Sequence, residues 1–300
     1  MRKKISQLLM RLIGRRSLWR LGRFLYMEAR RDVPNQMETN GEQAVQFHLL
    51  HVIADRHQKF TIFDVGANIG AWTLRLLQQS IDLKINDYLN IYLFEPVPST
   101  FQYLERKIFP HRDTSFIKAE PLALSDSSGF AQMFIYAEKS GINSLHQIPM
   151  KEIQCSIQVA KTTVDKYCEK ENIDTIHFLK CDTEGHDMSV IKGAKRMFEH
   201  ERIKVCQFEY NHRWIFSRHY LKDVFDYFND SVYHIGKITP DEIQLFEKWH
   251  LELERFFEGN YLLIHKDALG WFSVRKGKFD SYNTLCFKFL DKTSPKKKRV

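Results

Sequence analysis

The sequence predicts an α/β protein with a doubly wound, mostly parallel sheet, an antiparallel edge and an N-terminal helical extension. Two observations lead to this fold class. Short runs of β-branched and aromatic residues alternate with segments of helical periodicity, which is typical of parallel sheets. Glycines or acidic residues follow several of these runs, where ligands of such sheets bind. No run of about 18 apolar residues occurs, so the sequence predicts no membrane-spanning helix.

Charge is concentrated at the two ends of the 300-residue chain, whose net charge is +8. Residues 1–31 hold ten Lys or Arg and one acid, Glu28, and residues 296–299 add four basic side chains. The middle of the chain is therefore net negative, which argues against a basic nucleic-acid groove through it. We divide the chain into a basic amphipathic helical extension and linker (1–42), the main α/β domain (43–290) and a basic tail (291–300). Residues 32–42 are predicted to be the linker because they are polar and include a proline and a glycine.

The N-terminal extension spaces apolar side chains as one face of a helix would. The apolar stripe consists of Leu8, Leu9, Leu12, Ile13, Leu18, Leu21, Phe24 and Leu25. One interpretation is a helix that binds a membrane surface or a partner protein. The other is a helix that packs on its own domain and exposes a basic face to solvent. The sequence favours neither.

Cysteine use and the basic tail bear on where the protein works. The five cysteines are scattered and form no close pair, which fits a reducing compartment and argues against disulfides or a zinc site. We therefore predict a cytoplasmic protein without a bound metal, in peripheral membrane contact if α-helical residues 5–30 bind lipid. Lys296 to Arg299 resembles a short nuclear-localisation signal, but an artificial addition or a plain solvated tail explains it equally well.

The elements of the main domain follow in alternation from residue 43. We predict helices over 43–57, from Ala71, from a Ser99 cap through Ile108, and over 163–171 and 188–200. The predicted strands cover residues 60–65, 90–95, 116–124, 129–136, 153–159, 176–182, 204–209, 261–264 and 284–289. The pair 129–136 and 153–159 is expected to be antiparallel.

The turn Asp64-Val65-Gly66-Ala67-Asn68-Ile69-Gly70, after the first strand, predicts a cofactor site. Glycines allow close backbone approach, and the next helix offers free N–H groups. Asp64 can accept hydrogen bonds from a cationic amine, which suits the amino-acid end of S-adenosylmethionine. A tight turn without a ligand is the alternative. A nicotinamide cofactor would compete, although the spacing is not Gly-x-Gly-x-x-Gly.

The second and third strands also end in acids. Glu95 stands where a carboxylate can accept hydrogen bonds from two ribose hydroxyls. A surface acid beside Pro96 is the alternative. Asp126 could face the adenine amino group, although a turn acid before Gly129 explains it equally well. We predict that both contribute to cofactor binding.

The fourth and fifth strand ends carry the predicted catalytic groups. Asp182, Glu184 and His186 follow the fourth strand, and Glu209 and His212 follow the fifth. Asp182 is expected to contact the cofactor as well, near its methyl group. A hydroxyl acceptor needs a base within hydrogen-bond reach, and histidine titrates near neutrality. Helix capping by Asp182 is the alternative interpretation.

Several motifs, taken in order, resemble the pattern of FkbM-type methyltransferases over about residues 43–265. Besides the first turn they are Phe94-Glu95-Pro96, Ala123-Leu124-Ser125-Asp126, Thr163-Val164-Asp165, Leu179-Lys180-Cys181-Asp182-Thr183-Glu184-Gly185, Ile191-Lys192-Gly193-Ala194 and Phe208-Glu209-Tyr210. The resemblance implies a Rossmann-like class I methyltransferase fold and O-methylation of a hydroxyl, often on a sugar or a secondary metabolite. Cys181 and Thr183 depart from the family's usual apolar neighbours of the two acids.

The sequence thus predicts an S-adenosylmethionine-dependent O-methyltransferase that acts on a sugar, a glycan or another small metabolite. Residues 138–147 and 214–249 are expected to shape the acceptor pocket. Two alternatives stay open: an RNA methyltransferase that uses the basic ends for phosphate contacts, and a methyltransferase fold that binds without catalysis. The middle of the chain, being net negative, makes nucleic acid the weaker choice.

Overall fold

The structure, a computed structural model, describes residues 2–111, 116–137, 140–149 and 151–288. The basic tail lies outside the described residues. Among the described residues we find no helix with the length and hydrophobicity needed to span a bilayer.

Eight α-helices are present in the described part of the chain. They are α1 (Arg2–Arg30), α2 (Glu42–Arg56), α3 (Ala71–Asp82), α4 (Pro98–Ile108), α5 (Val164–Glu171), α6 (Asp187–Lys192), α7 (Lys195–Glu199) and α8 (Leu221–Tyr227). Short 3₁₀ turns cover Asn86–Tyr88, Phe109–His111, His212–Ile215 and Lys266–Trp271. The first helix is kinked at Gly14, where φ is 75°.

Thirteen strands of the described chain form two sheets. They are β1 (Phe60–Val65), β2 (Leu89–Phe94), β3 (Phe116–Glu120), β4 (Ala123–Leu124), β5 (Gly129–Ile135), β6 (Cys155–Thr162), β7 (Ile176–Cys181), β8 (Ile203–Tyr210), β9 (Tyr233–Ile238), β10 (Ile243–Phe246), β11 (Gly259–His265), β12 (Val274–Phe279) and β13 (Leu285–Lys288). The large sheet has the order β13-β12-β10-β9-β11-β8-β7-β1-β2-β3, and the small one β4-β6-β5.

The strand order confirms the predicted doubly wound sheet. Strands β3, β2, β1, β7 and β8 are parallel neighbours, and β11 enters antiparallel between β8 and β9. The chain fills one side of β1 first and then crosses to its other side with β7. The carboxyl ends of β1 and β7 therefore meet at a topological switch point, where ligands bind in such sheets.

Apolar side chains cover both faces of this sheet, as the nearly continuous apolar strands require. Along β1, Phe60 and Ile62 belong to one buried cluster, and Phe63 and Val65 to the other. Because successive side chains of a strand point to opposite faces, each cluster fills the space between the sheet and one layer of helices. The turn after β1 is thus held by packing on both sides.

Two predicted elements are divided in the structure. The third strand is split, since Pro121 separates β3, which extends the large sheet, from β4, which joins the small one. The helix expected over 188–200 breaks into α6 and α7 at Gly193. A Cβ on Gly193 would lie 1.9 Å from the carbonyl oxygen of Ser125, so the chain needs glycine where these segments cross.

The predicted cap at Ser99 is wrong. Helix α4 already begins at Pro98, and Val97 occupies the N-cap position. Proline suits the first turn of a helix because it has no N–H that would need a partner there. The N–H of Val97 is instead satisfied by a side-chain oxygen of Glu95, at 2.9 Å. Ser99 therefore lies inside the first turn.

Candidate active site

The turn after β1 is fixed by its contacts with the neighbouring strands. The N–H groups of Gly66 and Ala67 donate to the carbonyl oxygen of Phe94, at 2.9 and 3.0 Å. Gly66 has φ 78°, and a Cβ there would lie 2.0 Å from the carbonyl oxygen of Asp182. Only glycine allows the carboxyl ends of β1 and β7 to approach each other this closely.

Gly70 and Asn68 have different structural roles in the same turn. Gly70 precedes α3 with φ 82°, and a Cβ there would lie 2.6 Å from Leu104, so this glycine permits packing against α4. Asn68 also has a positive φ, of 49°, and lines a cleft that opens beside the turn. Neither Gly70 nor Ala67 is among the described residues that line this cleft.

The cleft lies at the switch point between β1 and β7, where ligands bind in such sheets. Its apolar wall is formed by Phe94 at one strand end together with Leu122, Leu124 and Met133. Its polar wall carries Asn68, Glu95, Asp182, Thr183, Glu184 and His186.

Glu95 joins the cleft to the turn. Its two carboxyl oxygens accept from the N–H groups of Asn68 and Val97, at 3.0 and 2.9 Å. Burial raises the pKa of Glu95 to about 7, although the two N–H donors favour the charged form. Each carboxylate oxygen keeps a lone pair for a further donor.

Asp64, predicted to receive the cofactor amine, is engaged inside the protein. Thr73 donates to its carboxylate at 2.7 Å, and the ammonium of Lys180 lies 3.4 Å away. Lys180 also lies 3.2 Å from Asp182. Burial alone would lower the pKa of Lys180, but the carboxylates of Asp182 and Asp64 raise it above its ordinary value. Asp64 thus holds the cation that positions Asp182, and it is not among the described cleft-lining residues.

Three acids meet where β7 and β8 end. Carboxylate oxygens of Asp182, Glu184 and Glu209 lie within 4.8 Å of one another. Arg213 contributes a positive charge 2.5 Å from Glu184. Burial and the charge of Asp182 raise the pKa of Glu184 to about 8. Burial and the charges of Asp182 and Glu184 raise the pKa of Glu209 well above its ordinary value. Acids this close share protons rather than ionising independently.

Asn35, from the polar segment that we predicted to be a linker, contacts this acidic group directly. Its amide N–H donates to Glu209 at 2.6 Å, and its amide oxygen accepts from Asn40 and Asn260, at 2.8 and 3.0 Å. Asp32 pairs with the buried Lys237 in the same segment. Residues 32–41 therefore form an N-terminal strap across the ends of β8 and β11. Sequence reasoning missed Asn35, since no local pattern predicts a partner 174 positions away.

The two predicted catalytic histidines differ in environment. His186 is buried, and its ring nitrogens lie 2.9 Å from His146 and 2.9 Å from the hydroxyl of Ser125. Burial, together with His146, lowers the pKa of His186 to about 3, which favours a neutral positioning group over a general base. His212 is exposed on a 3₁₀ turn and is not among the described residues that line the cleft.

Two further expectations concern the rims of the cleft. Asp126 accepts from Ser127 at 2.8 Å and lies 3.9 Å from Lys161, outside the described lining of the cleft. Described residues of the 138–147 loop do line it, among them Gly141 and Asn143. Trp214, by contrast, is fully buried and donates to the carbonyl oxygen of Glu209 at 2.8 Å. It supports the site from behind.

The geometry of the three acids would also fit one divalent cation, because carboxylate oxygens are the ligands that hard cations prefer. Lys180 and Arg213 already place positive charge against this group. We therefore expect the methyl transfer predicted from the sequence to survive exhaustive dialysis against EDTA, with the same rate before and after Mg²⁺ or Mn²⁺ is returned. A loss that one of these ions restores would contradict this expectation.

A doubly wound sheet with a glycine turn at the switch point, a strand-end carboxylate and an apolar wall is typical of nucleotide-binding enzymes, among which are the S-adenosylmethionine-dependent methyltransferases. The family description "Methyltransferase FkbM domain" matches residues 64–235. The chain belongs to this S-adenosylmethionine-dependent methyltransferase family.

Individual relatives are distant. "Methyltransferase 1" of Beauveria bassiana is 25% identical over 149 residues, which cover 44% of this chain and 57% of the fungal protein. The chain thus spans little more than half the length of this relative. The solved structure of methyltransferase FkbM from Methylobacillus flagellatus is 19% identical, with a TM-score of 0.44, over 68% of this chain and 43% of that one. The N-terminal domain of human METTL16 in complex with SAH is 10% identical, with a TM-score of 0.38, over 73% and 68%.

Proposed function

We propose that this methyltransferase transfers the methyl group to a hydroxyl of a sugar, a glycan or another small metabolite in the cytoplasm. The observation that carries the proposal is the acidic group of Asp182, Glu184 and Glu209 beside the cofactor cleft. A sulfonium is a strong methyl donor, so the protein must orient an acceptor and remove its proton. A hydroxyl is a weak nucleophile and needs such a base.

Two unsatisfied atoms support a fit between the cleft and the cofactor. The amide oxygen of Asn68 and the hydroxyl of Thr100 line the cleft, are buried, and have no hydrogen-bond partner among the described residues. Buried polar atoms rarely stay unpaired in folded proteins. We assign Asn68 to the amino-acid end of the cofactor, Glu95 to the ribose hydroxyls, and the apolar wall with Leu124 to the adenine.

Asp182 and Glu184 are the acids that an acceptor in the cleft can reach. The Asp182 side chain is 40% exposed and held by Lys180, while Glu184 is 15% exposed and held by Arg213. We propose that one of them takes the hydroxyl proton. Glu209, 3% exposed, sets the charge of the group from behind.

Product analysis tests the proposed acceptor class. The purified chain is incubated with S-adenosylmethionine carrying a labelled methyl group and with separate pools of sugars, glycans, small hydroxylated metabolites and RNA. We expect label in an ether-linked methyl group that survives mild alkali. Label confined to RNA would support the second candidate, an RNA methyltransferase, and binding of cofactor without transfer in any pool would support a non-catalytic module.

The pKa of Glu95 leads to a prediction about cofactor affinity. Ribose hydroxyls donate best to an ionised carboxylate, so binding of S-adenosylhomocysteine should tighten as pH rises through about 7. Glu95→Gln should remove this pH dependence and weaken binding by roughly 10- to 100-fold, the loss of about 1.5–3 kcal/mol for hydrogen bonds to a charged group. Calorimetric titrations from pH 5.5 to 8.5 measure both.

Glu120→Gln is the matched control, because Glu120 ends the next strand and is not among the described cleft-lining residues. An affinity of the wild type that does not change with pH would refute the ribose assignment. In the absence of ligand, Glu95 makes folding stability depend on pH with the opposite sign. A raised folded-state pKa stabilises the protonated protein, so this contribution to stability is lost as pH rises from about 4.5 to about 7.

A further inference from the structure

The apolar side of helix α1 faces away from the protein. At 100° per residue, Arg23, Tyr26 and Arg30 share one side of the helix, and Leu21 and Leu25 lie roughly opposite. The first side is the docked one. Arg23 stacks over the ring of Phe257, the hydroxyl of Tyr26 donates to Glu252 at 2.6 Å, and Arg30 pairs with Asp32 at 2.7 Å.

The opposite side is left in solvent. Leu21, Phe24 and Leu25 are 46%, 57% and 56% exposed. We name Leu21, Phe24 and Leu25 the outer stripe. The structure therefore contradicts the interpretation in which α1 packs its apolar face on its own domain, since no described part of the chain covers this stripe. Isolated exposed apolar residues are common, but a contiguous stripe indicates an interaction surface.

Charge indicates what covers the outer stripe. Arg20 lies at the edge of the stripe, the exposed Arg16 lies one turn before it toward the docked side, and residues 1–31 carry ten basic side chains against one acid. A second copy of this chain would bring two equally positive helices together, which opposes pairing. A nucleic acid would match the charge but leave the apolar stripe in water. An anionic lipid surface satisfies both, because apolar side chains enter the acyl boundary while arginines contact the headgroups.

We propose that α1 binds an anionic membrane surface through the outer stripe, with Arg16 and Arg20 at the headgroups. The ion pairs and ring contacts at the end of the helix hold the catalytic domain at this surface. The contact is peripheral, and it does not depend on which acceptor the enzyme methylates.

Flotation of the full chain with lipid vesicles tests the proposal. We expect binding to phosphatidylcholine vesicles that contain phosphatidylserine, weak binding to pure phosphatidylcholine, and release as NaCl is raised. Arg16→Gln with Arg20→Gln should weaken binding about 30-fold, since each basic side chain near such a surface contributes about 1 kcal/mol. Leu21→Gln with Leu25→Gln should weaken it more than about tenfold.

The matched control is Phe109→Gln with Phe130→Gln, which removes two side chains that are 69% and 68% exposed elsewhere on the protein. It should bind like the wild type. Equal binding to neutral and anionic vesicles, no binding to either, or an equal loss in the control would overturn the proposal. So would a dimer in solution that only the leucine variant abolishes, or RNA binding that survives in that variant while vesicle binding is absent.

Discussion

Replacing Asp182 by Asn is expected to lower the turnover of methyl transfer by about 10²- to 10⁴-fold, the range of general acid–base contributions. The change removes the negative charge that Lys180 holds at the cleft, 3.2 Å from its ammonium, and keeps the size of the side chain. The affinity for S-adenosylhomocysteine should fall much less. Single-turnover rates and calorimetry on the same preparation measure the two effects.

Glu209→Gln should act in the same direction, through the charge of its neighbours. The glutamine keeps the size of the side chain, but its single amide oxygen can accept from only one of Asn35 and Asn211, which donate to the two different oxygens of the native carboxylate at 2.6 and 2.9 Å. The exposed Glu199→Gln serves as the surface control. If either acid variant lost turnover and cofactor affinity equally, its catalytic role would be refuted.

Gly66→Ala is expected to have the largest effect on folding. A Cβ there would lie 2.0 Å from the backbone oxygen of Asp182, and the residue has φ 78°. Backbone strain and overpacking each cost about 1–3 kcal/mol, so the free energy of unfolding should fall by about 3 kcal/mol or more. We expect cofactor binding to disappear with it, because the turn and the end of β7 must separate.

Gly129→Ala controls for the positive φ alone. Gly129 has φ 135° at the start of β5, and no atom lies within 4 Å of a Cβ built there. Thermal and urea unfolding of the two variants separate strain from the clash. If Gly66→Ala lowered the free energy of unfolding no more than Gly129→Ala does, this would contradict the claim that the carboxyl ends of β1 and β7 must be in contact.

Much of the fold could be predicted because its signals are local. Apolar runs such as those of β1 and β7 are buried on both faces. The glycines between β1 and α3 predict a turn from their sequence alone. The elements that were missed or misplaced depend on distant contacts. Strands β9, β10 and β12 mix polar and apolar residues without a clear strand pattern. Their pairing with neighbouring strands in the sheet defines them.

The site was predictable to the extent that strand ends converge. Glu95, Asp182 and Glu184 line one cleft as expected, because parallel strands deliver their carboxyl ends to one edge. Burial changes what the residues do there. Asp64 pairs with Lys180, and His186 is held neutral by its buried surroundings. No single-strand pattern contains that information.

The N-terminal strap, residues 32–41, also has contacts that the sequence did not predict. A polar stretch with a proline and a glycine was interpreted as a linker, which is its usual meaning. In the folded chain, the polar side chains of Asn35 and Asn40 take part in a partly buried hydrogen-bond network with Glu209 and Asn260. A truncation that starts at residue 43 would remove these donors from the acidic group, so tests of activity should use the full chain.

Calorimetric titration of the full chain with S-adenosylhomocysteine tests the central claim most directly, namely that the cleft at the switch point holds the cofactor. We predict one binding site per chain, weakened in Glu95→Gln, lost in Gly66→Ala and retained in Glu120→Gln. Absence of binding to the folded wild type, or equal affinity in wild type and Glu95→Gln at pH 8, would contradict the claim.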